Sequence, residues 1–291
     1  MEWPKAKTII IITLLLLNAA FAYLNITMGA EPSIYNFNKE EIIKKLSQNN
    51  ISYSFSDETE YNELEKISFV KFEYDYDKIN PIFFEYPESL ESKIEAENLV
   101  YSDETGTLIG EDYKNSFIYV SQSQPSFIKT GIQAAEGLCR EAMQKLGPEF
   151  KGFKQETATY DPDNENAVVI VYKQFFKGYK INTNEVLFRV DNDKIIYASC
   201  VYFKPVEFLK ESRADIYSSL DAVFAFMAYK SAADASAALS QPSGAIIDKI
   251  SLTYERDQLS GDESFIPCYA IYLNNEIRPV LVNAYKNIII E

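Results

Sequence analysis

Histidine is absent from all 291 residues, and that absence excludes more function than any motif present suggests. Without imidazole there is no Ser-His-Asp or Cys-His nucleophile, no common zinc site, no phospho-accepting histidine and no simple histidine pH switch. Cysteine is sparse: Cys139, Cys200 and Cys268 stand far apart with no C-x-x-C. An odd number leaves at least one thiol without an intrachain partner. Cys139 fits the apolar face of a helix, and Cys200 and Cys268 lie in strand-like runs, so all three read as small buried hydrophobes. With only 10 glycines, the chain carries no phosphate-cradling loop and no G-x-S-x-G elbow. Basic residues are also in deficit, 28 against 43 acidic, for a net charge of −15. That balance argues against nucleic acid and against broad docking on anionic lipid.

The acidic clusters offer little chemistry of their own. Asp161-Pro162-Asp163-Asn164-Glu165 resembles a calcium loop only superficially. Asn166 stands where the sixth-position glycine belongs, and Tyr172 where the twelfth-position acid belongs. A solvated turn is the simpler reading. Asp57, Glu58 and Glu60 lie among Ser, Thr and Asn in a loop-like stretch. No catalytic residue, metal site or cofactor is expected, and the chain does not read as an enzyme.

What the chain does have is one long apolar run. Trp3-Pro4-Lys5-Ala6-Lys7 leads into Thr8–Leu24, roughly 25 Å of helix at ~1.5 Å per residue, the lower limit for spanning a bilayer. Lys5 and Lys7 mark the side retained in the cytoplasm, and Trp3 and Tyr23 suit the two interfaces. The expectation is a single-pass cell-membrane protein with residues 1–7 cytoplasmic, 8–24 spanning and the remainder extracytoplasmic. Ala20-Phe21-Ala22 is also an A-x-A pattern, so a cleavable export signal stays open. Ile11, Leu15, Asn18 and Ala22 share one helical face at 4-3-4 spacing. Asn18 there either hydrogen-bonds a second transmembrane helix, worth ~1 kcal/mol, or meets interfacial water.

Beyond a linker at 25–36, the pattern predicts a first α+β domain at 37–125. It opens on a capped helix at Asn38 and continues with strands at Ile51–Phe55, Ile67–Tyr76 and Ser116–Val120. Residues 77–113 show no clear period. Gln122–Pro125 reads as the boundary. A second domain, 126–291, begins with Thr130-Gly131-Ile132-Gln133 as a capping box. A helical stripe follows (Ile132, Ala135, Leu138, Cys139, Ala142, Met143, Leu146), stopped by Gly147-Pro148. Strands at 153–160, 167–176, 185–190 and 194–203 come next, the last two joined by Asp191-Asn192-Asp193. The order then recurs: a helix over 212–239 with Ile216, Leu220, Val223, Phe224 and Met227 as its stripe, then strands at 245–254, 265–273 and 277–284. Asn274-Asn275 turns the last pair. A helix followed by an antiparallel meander, repeated, is an α+β fold.

Several segments resemble one family. Met1-Glu2-Trp3-Pro4-Lys5-Ala6-Lys7-Thr8-Ile9 running into Leu15-Leu16-Leu17-Asn18 looks like the start of the YycI side of the YycH/YycI group. These are accessory proteins of the WalK/WalR two-component system of Gram-positive bacteria. Phe265–Ile271 and Val280-Leu281-Val282-Asn283-Ala284 resemble the closing strands of that group, and Val171–Phe175 through Gly178 to Tyr202 its PepSY-like central meander. Cys268 stands where the group usually has Trp, and Ala19, Ala20 and Ala22 replace bulkier residues. The resemblance implies a single-pass regulator of a WalK-like sensor histidine kinase, working with a YycH-like protein through transmembrane and extracytoplasmic contacts. It implies no catalytic residue. An exported PepSY-like inhibitor or binding module without an anchor is the alternative.

Overall fold

Period-two alternation of buried and less buried side chains marks strands such as Gly106–Glu111 and much of Asn164–Phe176, as their β-branched and aromatic residues favour. The computed structural model describes residues 44, 47, 51–53, 63–111, 115–236, 245–258, 261–273 and 278–290. In chain order these form β1 (Ile51–Tyr53), β2 (Glu63–Lys71), α1 (Tyr76–Phe83), β3 (Glu91–Glu95), β4 (Asn98–Ser102), β5 (Gly106–Glu111) and β6 (Ser116–Ser121). Then come α2 (Ile132–Leu146), β7 (Phe153–Asp161), β8 (Asn164–Phe176), β9 (Tyr179–Asp191), β10 (Lys194–Val201) and β11 (Phe203–Asp215). The last elements are α3 (Ser219–Ser236), β12 (Ala245–Arg256), β13 (Ser264–Leu273), β14 (Val280–Asn283) and β15 (Ile288–Ile290). The architecture is α+β and dominated by sheet.

Ser52–Glu291 forms one compact unit. Its main strand path runs β11-β2-β13-β12-β9-β10-β6-β5-β4-β3, with β7-β8 joined to β9 and β14-β15 joined to β13. The sequence of a helix followed by antiparallel strands does recur, as α2 with β7–β10 and as α3 with β12–β15. The expected division at residue 125 does not show as a break. Strand β6 pairs with β10 from Tyr197↔Val120 to Val201↔Ser116, and β2 pairs with β11 from Phe203↔Lys71 to Asp215↔Glu63. Strands from both sides of 125 thus complete each other's hydrogen bonding, which neither set satisfies alone.

Helix α2 buries Ala135, Cys139, Ala142, Met143 and Leu146, and it packs on β7, β8 and α1. This stripe joins Phe117, Ile170, Phe188, Val190 and Tyr202 in the larger core. A second cluster holds Ile67, Phe69, Ile181, Phe203, Tyr254 and Phe265. The capping box expected at Thr130 is not formed. Gly131 is the N-cap without a side-chain bond, and Thr130 Oγ1 accepts instead from the Asn192 backbone N–H at 2.9 Å. The helix expected from Ser212 starts at Ser219, because residues up to Asp215 continue the β2 pairing. Its reciprocal cap is Ser218 with Asp221: Ser218 N–H and Oγ–H both donate to Asp221 Oδ2, and Asp221 N–H donates to Ser218 Oγ. Within residues 77–113, which showed no period, the described residues 77–111 form most of α1 and the meander β3–β5.

Among the described residues no helix is long and apolar enough to cross a membrane. The predicted span at 8–24, the linker at 25–36, most of the helix from Asn38, the acids Asp57, Glu58 and Glu60, and the Asn274-Asn275 turn all lie outside the described residues. Of that first helix, Lys44 and Ser47 are helical as expected.

Candidate functional site

Every sequence-predicted site residue (Trp3, Lys5, Lys7 and Tyr23 for the anchor; Ile11, Leu15, Asn18 and Ala22 for the partner face) lies outside the described residues. The described unit carries two other features that could serve function, one buried and polar, the other exposed and apolar.

The buried feature runs along β9 where it leaves β10 and meets β12 in a short parallel pairing, Thr253↔Lys180 and Tyr254↔Ile181. Lys180 is buried, with Nζ 2.7 Å from Glu156 Oε1 and donating to Tyr272 OH. Burial, then the Glu156 charge, pushes the Tyr272 hydroxyl far above its ordinary range. Lys173 Nζ pairs with Glu185 Oε2 at 2.6 Å and also donates to Asn182 O. Asn182 Nδ2 and Thr183 Oγ1 donate to the two oxygens of buried Glu255. Asn184, fully buried, donates from Nδ2 to Phe203 O and Gln174 Oε1 and accepts the Phe203 N–H at 2.9 Å. Its amide replaces a missing strand partner at the corner between β10 and β11. Asn115 does the same beside it, accepting the Phe72 N–H and donating to Tyr202 O. Each member of this seam satisfies another, which fixes strand register.

A groove of about 210 Å³ lies between α1 and the end of α2, lined by Phe72, Tyr74, Asp75, Lys78, Leu146 and Phe150 among others. Its Lys78 is tied to Asp75 at 2.6 Å, and that hydrogen bond lowers the Asp75 carboxyl below its ordinary value. All three cysteines are free and buried. Burial raises the Cys139 and Cys200 thiols to about 12, so neither is a nucleophile near neutral pH. Among the described residues no group of three His, Cys, Asp or Glu could hold a metal ion.

The exposed feature sits at one end of the sheet. The turns β4–β5, β7–β8 and β9–β10 and the end of β6 all fall there. Residues 122–131 cross these ends from β6 toward β7. Gln122 N–H donates to Thr105 O; Ser126 N–H donates to Asp191 Oδ2 at 2.9 Å; Asn166 Nδ2 donates to Ser126 O at 3.1 Å. On the far side Thr130 N–H donates to Asn166 O, and Lys129 Nζ lies 4.0 Å over the Tyr160 ring. Between these ties Phe127 is 100% exposed and Ile128 66%. Of the eleven large hydrophobics exposed among the described residues, four (Val120, Phe127, Ile128, Tyr160) gather at this end. Glu104, Asp163, Glu165 and Asp193 are exposed at the same end, as is Lys194 beside Asp193. Asp161, expected in a solvated turn, is buried below, with Oδ2 2.6 Å from Arg189 Nε.

Two solved structures bear a low similarity to this chain. A structure of YycH from Bacillus subtilis is 12% identical, covering 77% of this chain and 51% of that one, with a TM-score of 0.45. The C-terminal domain of YpeB from Bacillus megaterium is 13% identical, covering 87% of this chain and 96% of that one, with a TM-score of 0.36. This chain spans about half the length of that YycH chain, 51%. No protein-family model matches the chain, and no curated protein matches its sequence.

Sequence reasoning assigned residues 122–125 to a boundary and passed over Phe127 and Ile128. The signal was there. Two large apolar residues interrupt a polar Ser, Gln, Pro stretch, outside the period of the helix that follows.

Proposed function

We propose that this chain is a membrane-anchored, non-catalytic extracytoplasmic regulator of a WalK-type sensor histidine kinase, on the YycI side of the YycH/YycI group. The observation that carries the reading is the N-terminal segment Met1–Asn18, a basic head and apolar run with the residue order of that group. The described unit is consistent with such work. Its buried Lys180 and Glu255 are engaged within the sheet, and Phe127 and Ile128 are exposed at the loop end. Residues 8–24 would hold the body at the outer face, and Asn18 would bond a neighbouring transmembrane helix. A bound helix need shift a kinase's two-state equilibrium by only ~1–3 kcal/mol to change its output several-fold.

The test is co-purification of the full-length chain from membranes with the kinase and the YycH-like protein. Both are expected with the native chain, and recovery is expected to fall with Asn18→Leu while the extracytoplasmic unit keeps its melting temperature. Absence of both partners from the native chain would refute the reading. Ala20-Phe21-Ala22 favours one rival, an exported PepSY-like binding module, which would be found without residues 1–22.

A further inference from the structure

We propose that Phe127 and Ile128 form a preorganised plug that inserts into an apolar cleft of a partner protein whose rim carries Lys or Arg side chains. Partner identity rests on the reading above; the plug itself rests on geometry.

Exposed aromatic side chains on a free loop would gain little by docking, because ordering the loop would consume much of the contact energy. Here the ordering is already done. Ser126 is held on both sides of its peptide by Asp191 and Asn166, and Ile128 N–H donates back to Ser126 Oγ at 3.0 Å. Thr130 is tied through its N–H to Asn166 and through its hydroxyl to Asn192. The two apolar residues therefore project from a segment pinned at both ends to two adjacent hairpin turns. A fully exposed Phe beside a largely exposed Ile, at a fixed site, is the composition of an interface anchor.

Charge selects the kind of partner. Glu104, Asp163, Glu165 and Asp193 are exposed at this end and outnumber its two lysines, Lys194, exposed beside Asp193, and Lys129, placed over Tyr160. An anionic lipid surface would be repelled by this rim. A basic-rimmed protein cleft would be attracted to it and oriented by it.

The experiment uses the full chain in its own cells, with the photo-crosslinker p-benzoylphenylalanine placed at residue 127 and, as a control, at exposed residue 94 on β3. A discrete protein adduct is expected from 127, about ten-fold or more above that from 94. The adduct is expected to fall about ten-fold with Asp163→Lys/Glu165→Lys, and likewise with Ile128→Ser, which leaves the charge intact. All these positions are exposed, so an unchanged melting temperature shows that the fold is kept. A lipid adduct, an adduct no stronger than from 94, or one indifferent to both variants would overturn the plug. The crosslinked peptide identifies the partner. The kinase or the YycH-like protein sustains both readings; another protein sustains the plug and counts against the proposed function.

Discussion

The seam along β9 and the loop end of the sheet invert each other. At the seam, Lys180, Glu255, Asn184 and Gln174 are polar and buried; at the loop end, Phe127 and Ile128 are apolar and exposed. Both arrangements are unfavourable taken singly. Burying an amide or a charge costs about 1–3 kcal/mol or more unless it is paired. An exposed Phe side chain forgoes about 1.5–3 kcal/mol of burial. The seam recovers its loss within the molecule, by pairing every member. The loop end recovers nothing internally, since its hydrogen bonds hold the backbone and leave the apolar side chains in water. The difference teaches where stability ends and function starts.

The comparison can be pressed hardest by raising pH, which titrates the buried thiols and phenols of the interior. Cys139 and Cys200 keep their protons to about 12 in the folded chain, against 9.0 ordinarily. Tyr172 and Tyr202 likewise hold theirs to about 12, against 10.0. Between these values the unfolded chain has released protons that the folded chain retains, so the unfolding free energy falls with pH. The slope approaches ~1.4 kcal/mol per pH unit for each such group. Urea midpoints are expected to be steady below about pH 8 and to fall steeply from pH 9 to 12. Midpoints flat to pH 11 would show that these groups are not held in the folded interior.

Next in size is Asn184→Leu, which strands the Phe203 N–H and carbonyl and the Gln174 amide. A loss of about 3 kcal/mol is expected by urea denaturation. A loss under about 1 kcal/mol would mean that the corner is not held by this amide. Smallest is Phe127→Ser with Ile128→Ser, expected to change stability by no more than about 0.5 kcal/mol while removing partner contact. A larger drop would make the loop end part of the core rather than its counterpart.

These two regions differ also in how far the sequence discloses them. The α2 stripe and the strands after Phe153 were legible, because helical spacing and β-branched alternation are local. The hairpin at Asn192-Asp193 was legible too, and both residues adopt positive φ, 47° and 59°. Residues 77–113 were not. Helix α1 is short and contains Pro81, and every residue of β3, Glu-Ser-Lys-Ile-Glu, is exposed, so no alternation could appear. Thr130 and Asp161 were misread because their partners, Asn192 and Arg189, lie 62 and 28 positions away. The seam was invisible for the same reason. Asn184 looks like any strand-interrupting polar residue until β10 turns its corner nineteen positions later.

The anchored-regulator account stands or falls on the N-terminal segment, so the decisive measurement is terminal peptide mapping of the native chain from washed membranes and from culture medium. The account expects the chain in the membrane fraction with the peptide spanning Trp3 to Tyr23 intact. A chain found in the medium and beginning at Tyr23 would contradict it.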